Sequence, residues 1–236
     1  MANNYFQFRQ FTIRQERCAM KVGTDGTLLG AWASAPQGAC RILDIGTGTG
    51  LISLMMAQRF PEAFVCGIDI DEDAVCQAQE NVQASPYADR VNIWQCDVSL
   101  LNDKDGYDVI VCNPPFFEDS LTCPDQQRTS ARHTVTLSYQ QLMQAAFRLL
   151  KNNGRLALVI PSESQSRIET EAALQGFFIC RLYRVQTTPQ KQPKRHLIEF
   201  TKHPVNEIDN KDVTLEINSH VRSPWYHQLT KSFYIK

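Results

Sequence analysis

The chain has 236 residues, 43% of them hydrophobic, which is enough for one sizeable core, and α/β folds of about 200 to 250 residues commonly form a single domain. A formal charge of −1 excludes a globally basic surface, so any nucleic-acid contact has to rest on a local patch. The eight cysteines never fall as Cys-x-x-Cys, and most lie in apolar runs such as 64–68, which suits buried thiols in a reducing cytoplasm; no metal site is expected, and no apolar run reaches the roughly 18 residues of a membrane helix.

At the front, Phe6, Phe8, Phe11 and Ile13 approximate an alternating pattern, which predicts a small strand or hairpin within an extension, 1–40, that packs on the core. From Arg41 onward, short apolar strands alternate with amphipathic stretches, the mark of successive βα units feeding a mostly parallel sheet with helices on both faces. Strands are predicted at 41–45, 64–68, 91–95 and 107–112, with helices at 51–59, ended by Pro61, and at 73–83. Leu142, Ala145, Ala146, Leu149 and Leu150 give 138–150 a helical period, and Asn152-Asn153-Gly154 reads as its stop before a fifth strand at 155–160. A helix at 164–174 and strands at 177–185 and 196–201 bring the sheet to about seven strands, the last two separated by a polar linker, 187–195. After Pro204, 213–217 reads as a short strand and 225–234 as a terminal helix, so 41–203 form the core and 204–236 an extension of the same domain.

Asp44-Ile45-Gly46-Thr47-Gly48-Thr49-Gly50 follows the first strand and opens the first helix of the core, where a glycine loop brings backbone N–H groups close to a ligand. The glycines alternate as Gly-x-Gly-x-Gly rather than in the dinucleotide spacing. In this the loop resembles the first motif of class I methyltransferases, which lies against the methionine part of S-adenosylmethionine. Asp69 ends the second core strand, where a carboxylate can accept both ribose hydroxyls, and Asp97-Val98 follows the third, where such enzymes hold the adenine edge. Gly46, Gly48, Gly50, Asp44, Asp69, Asp97 and Val98 are therefore the cofactor candidates.

Asn113-Pro114-Pro115-Phe116-Phe117 stands immediately beyond the fourth core strand. An amino group conjugated to a planar π system is a poor nucleophile, because its lone pair is delocalised. Two acceptors for its N–H bonds help the nitrogen become tetrahedral. The Asn113 side chain and the Pro114 carbonyl can be those acceptors, held in place by the two prolines, while Phe116 stacks on the ring. The segment resembles the catalytic motif of amino-methyltransferases acting on adenine, guanine or glutamine, and leaves open which of these is the acceptor.

The segment from Phe6 to Ile13 leads into Met20-Lys21-Val22-Gly23-Thr24-Asp25-Gly26-Thr27-Leu28-Leu29-Gly30-Ala31-Trp32. On these residues the chain resembles the bacterial tRNA1(Val) adenine N6-methyltransferases, from about residue 6 to 200 and again at Phe233-Tyr234. The resemblance implies a Rossmann-like class I methyltransferase fold, S-adenosylmethionine as cofactor, and tRNA as partner; a monomer is expected. It also implies methylation at N6 of the adenosine next to the anticodon, position 37. It brings Lys21, Thr24 and Asp25 toward the methionine end of the cofactor; by residue type alone, Thr24 or Asp25 would cap the next helix. Arg128, Arg132 and His133, just past the catalytic segment, and Lys191, Lys194 and Arg195 in the polar linker are candidates to grip RNA phosphates. Guanine-N2 methylation of ribosomal RNA, N5 methylation of a protein glutamine, and a cofactor-binding RNA-interaction module without turnover are the alternatives.

Overall fold

The computed structural model describes residues 3–18, 20–114, 137–218 and 221–235. A short antiparallel pair, β1 (Tyr5–Gln7) and β2 (Thr12–Arg14), opens the chain, and Ile13 within it is buried together with Phe8 and Phe11 in the connection between the strands. There follow α1 (Thr24–Trp32), β3 (Arg41–Ile45), α2 (Leu51–Arg59), β4 (Phe64–Asp69), α3 (Glu72–Gln83), β5 (Val91–Gln95) and β6 (Tyr107–Cys112). The later described elements are α4 (Tyr139–Leu149), β7 (Leu150–Pro161), α5 (Gln165–Gln175), β8 (Phe178–Gln186), β9 (Arg195–Thr201), β10 (Asp209–Thr214), β11 (Glu216–Asn218), β12 (Val221–Arg222) and α6 (Pro224–Thr230).

The main sheet has eight strands in the order β10-β8-β9-β7-β6-β3-β4-β5, and within it only β9 runs against its neighbours. Side chains alternate between two cores. Ile42, Val109, Val159 and Leu197 pack under α1, α2 and α6, while Leu43, Ile110, Leu158 and Ile198 pack under α4 and α5. Helices thus cover both faces of the sheet. Its strand order reverses between β3 and β6, and ligands bind such sheets in the crevice at the carboxyl ends of the strands, at that reversal. No helix among the described residues is long and apolar enough to cross a membrane.

Three sequence expectations are corrected. The sheet has eight strands rather than seven, because Asp209–Thr214 pairs in parallel with β8 along the whole of its length. Asn152-Asn153-Gly154 does not stop α4 with a left-handed residue. The helix gives way directly to strand at Leu150, and the register slips between Tyr107↔Leu150 and Val109↔Arg155, so that these residues form an irregular start to β7. Gly154 is needed there for space, since a Cβ would stand 2.7 Å from the Leu150 side chain and 3.0 Å from the Asp108 carbonyl. The terminal helix is Pro224–Thr230, shorter than expected, and the chain beyond it turns so that Phe233 enters the core.

Candidate active site

Along the first core strand, Asp44 is wholly buried, and one of its oxygens collects three hydrogen bonds: from Thr47 Oγ1 at 2.7 Å, Ser53 Oγ at 2.8 Å and Ser53 N at 3.1 Å. The carboxyl therefore pins the glycine loop to the first turn of α2 from below. Its other oxygen, Oδ1, is buried without a partner among the described residues. Burial pushes the Asp44 carboxyl up to about 6, against the opposing pull of the Thr47 and Ser53 hydrogen bonds.

Above Asp44 the loop turns on Gly46, Gly48 and Gly50, whose φ values of 69°, 54° and 79° lie in the left-handed region. A Cβ on Gly46 or Gly48 would meet no atom within 4 Å, so the loop presents bare backbone to open space. Asp69, the last residue of β4, accepts from Gly48 N at 2.9 Å through one oxygen and from Asp71 N at 3.1 Å through the other. Asp97, two residues past β5, accepts from Ser99 N at 2.8 Å, and Val98 beside it is buried. The sheet thus brings together the loop and all three carboxylates on neighbouring strands.

The β3–β6 pairing ends at Ile45↔Cys112, which places Asn113 at the same edge beside Gly46. Asn113 Oδ1 is buried and has no hydrogen-bond partner among the described residues, and Pro114, the next residue, is buried. Two acceptor oxygens, on Asp44 and Asn113, are therefore desolvated at adjoining strand ends. A cation and an amino group are the chemistry such oxygens take. Pro115, Phe116, Phe117, Arg128, Arg132 and His133 lie outside the described residues.

The front segment is more tied down than the sequence suggested. The N-cap of α1 is Gly23, with no side-chain cap from Thr24 or Asp25. Lys21 donates its ammonium to the Gln15 carbonyl, and Asp25 receives Arg195 Nε at 2.8 Å. Thr24 is exposed at the start of the helix. Of the linker cations, Lys191 and Lys194 are exposed and Arg195 is half-buried in its ion pair with Asp25. Sequence reasoning missed Asn81, which accepts from Arg14 N at 2.9 Å and donates to the carbonyls of Arg14 at 2.8 Å and Thr49 at 2.9 Å. Its neighbour Gln77 accepts from Arg17 N. The available signal was two polar residues one turn apart on a helix face otherwise made of Ala74, Ala78 and Val82.

Comparisons with known proteins bear on the family and the fold. The methyltransferase small domain family model matches residues 26–181. A relative from Bacteroides thetaiotaomicron, named tRNA1(Val) (adenine(37)-N6)-methyltransferase, is 48% identical over 100% of this chain and 99% of its own. Among solved structures, a protein from Agrobacterium tumefaciens described as a predicted O-methyltransferase has a TM-score of 0.70 at 19% identity, covering 89% of this chain and 96% of that one. A glycopeptide N-methyltransferase crystallised with S-adenosyl-L-methionine has a TM-score of 0.57 at 12% identity, over 80% and 93% of the two chains.

Proposed function

The chain belongs to the tRNA1(Val) (adenine(37)-N6)-methyltransferase family, and from that membership we propose that it transfers a methyl group from S-adenosylmethionine to N6 of adenosine 37 in a tRNA anticodon loop. The observation that carries the reading is Asn113, a desolvated acceptor at the end of β6 beside the glycine loop.

The residues present fit the cofactor. Open space above Gly46 and Gly48 leaves room for a ligand against backbone N–H groups, and the unpartnered Oδ1 of buried Asp44 suits a nearby ammonium. Gly46, Gly48, Gly50 and Asp44 are proposed to hold the methionine end, Asp69 the ribose hydroxyls, and Asp97 with Val98 the adenine. Lys21, Thr24 and Asp25 flank the methionine end on a segment anchored through Gln15 and Arg195. When bound, S-adenosylmethionine supplies an electrophilic methyl group.

The remaining work falls to the chain. Asn113 Oδ1 and the Pro114 carbonyl accept the two N–H bonds of the adenine amino group, which draws the nitrogen lone pair out of conjugation and aims it. Pro115 stiffens this turn, and Phe116 and Phe117 stack on the base. No general base with a tuned pKa is needed, because the methylated amine is acidic and sheds its extra proton to water. Arg128, Arg132, His133, Lys191, Lys194 and Arg195 are proposed to hold phosphates of the loop, whose bases are already unpaired and cost less to extrude than duplex bases. One chain carries every group named, so a monomer suffices.

Labelled cofactor incubated with total tRNA from a strain lacking the gene should yield N6-methyladenosine on nucleoside analysis. N2-methylguanosine, or label in protein glutamine, would replace the reading. Asn113→Ala should lower turnover by about 100-fold or more while cofactor affinity stays within a few-fold. Loss of cofactor binding in that variant would show that the pocket has been misplaced.

A further inference from the structure

A second cleft, of about 530 Å³, opens between the N-terminal strand pair, the start of α1 and the C-terminal elements. Gln7, Thr24 and Glu216 supply polar atoms to its wall, and Arg222, Tyr226 and Tyr234 supply planar ones. Its volume falls within the range of small-ligand sites, about 300 to 1,000 Å³. The Arg222 guanidinium lies 4.6 Å from the centroid of the Tyr234 ring and 5.9 Å from that of Tyr226, while the residue remains exposed. The two phenol oxygens sit 3.1 Å apart, fixing the rings relative to each other.

The position of the cleft matters as much as its lining. Asp25, next to Thr24, pairs with Arg195, which stands opposite Pro161 at the carboxyl end of β7. Leu215 N and Glu216 N donate to the carbonyls of Gln186, the last residue of β8, and Thr187 just past it. The cleft therefore opens at the same sheet edge as Asn113, displaced toward β8 and β10. Four strand spacings separate β6 from β10, roughly 19 Å. Exposed Lys191 and Lys194 belong to the segment joining β8 and β9 at that edge.

We propose that this cleft holds one unpaired nucleotide of the RNA substrate, distinct from the target adenosine, with its base against the Arg222–Tyr234 surface and its phosphate within reach of the Arg222 cation. The proposal rests on the RNA reading of function given above. The physical case is that every base has a π-face, so a preformed guanidinium-on-tyrosine surface binds unpaired nucleotides without demanding one sequence. The Gln7 amide provides both a donor and an acceptor for a base edge. Arg222 acts here as a positioning residue: it anchors the loop so that the target base reaches Asn113.

The test measures methyl transfer to a tRNA transcript carrying the acceptor adenosine, for the wild-type protein, Arg222→Ala, Arg222→Lys and Gln7→Ala. Arg222→Ala should raise KM for the transcript about tenfold or more with kcat within twofold, Arg222→Lys should fall between it and wild type, and Gln7→Ala should raise KM more modestly. Cofactor affinity and melting temperature should not move. In parallel, wild-type protein irradiated with a transcript containing 4-thiouridine should crosslink within the peptides that carry residues 5–7 or 221–234. An unchanged KM in Arg222→Ala, or crosslinks confined to other peptides, overturns the cleft while leaving the methyltransferase reading intact. A wild-type protein that methylates no RNA overturns both. If Arg222→Ala loses its fold, the crosslink map alone decides.

Discussion

A carboxyl with no exposed surface cannot be neutral in its consequences. Asp44 spends one oxygen on Thr47 and Ser53 and leaves the other desolvated, and burial moves its pKa from 3.8 to about 6. Because the folded-state value is raised, protonation of this group favours the folded protein: its contribution is fully present below the unfolded value and is lost as pH rises through about 6. A cation at Oδ1 reverses that preference, since an adjacent positive charge favours the ionised form. If the methionine ammonium sits there, cofactor affinity should fall by about tenfold for each pH unit below about 6. Asp44→Asn should flatten the profile and weaken binding at neutral pH. Calorimetric titration of the cofactor between pH 5 and 8 reads both effects, and a flat wild-type profile would remove Asp44 from contact with the cation. The location of Asp44 could be read from the sequence, two residues before the first glycine. Its dependence on Ser53, nine residues on and in a helix, could not, because that bond exists only once the loop has folded back over the strand.

At the scale of elements, α3 is the clamp of the site. Gln77 and Asn81 are buried on the face that meets the front segment, and Asn81 ties both backbone groups of Arg14 to the carbonyl of Thr49 in the glycine loop. Replacing Asn81 with Leu keeps the volume and strands one donor and two acceptors. The cost should be about 1–3 kcal/mol for each group left without water, seen as a lowered melting temperature, together with a weaker cofactor. Asn81→Asp retains the acceptor for Arg14 N and should fall between. An unchanged melting temperature in both variants would show that the clamp is incidental. Most elements were legible because the strands buried on both faces, such as β3 and β6, are near-continuous apolar runs, while the apolar residues of α4 repeat at 3.6. The failures share a cause. β10 begins Asp209-Asn210-Lys211-Asp212, too polar to read as a strand, yet an edge strand needs only backbone pairing with β8 and can leave those side chains in water. Asn152-Asn153-Gly154 carries the composition of a turn, and becomes the irregular start of β7 because Tyr107 pairs with Leu150 across it.

Over the whole molecule, 24 Lys and Arg nearly cancel 25 Asp and Glu, but the carboxyl edge of the sheet does not share that balance. Exposed Asp71, Glu72 and Asp73 crowd the β4–α3 end, whereas Lys191, Lys194 and Arg222 occupy the β8–β9 end. With RNA as substrate, this separation of exposed charge predicts approach over the β8–β9 end rather than the β4–α3 end. Because attraction is local, its salt dependence counts the phosphates engaged. For an unpaired strand the slope of log K against log salt is about −0.7 per contact, so roughly four contacts predict an affinity for tRNA about fifty-fold weaker at 200 mM than at 50 mM salt. Filter binding over that range measures the slope, and Lys191→Ala with Lys194→Ala together should reduce it by about 1.4. Cofactor affinity should change far less over the same range, since its proposed partners are chiefly backbone groups, buried Asp44 and half-buried Asp69 and Asp97. A slope unaltered by removing both lysines would mean that RNA enters over another face.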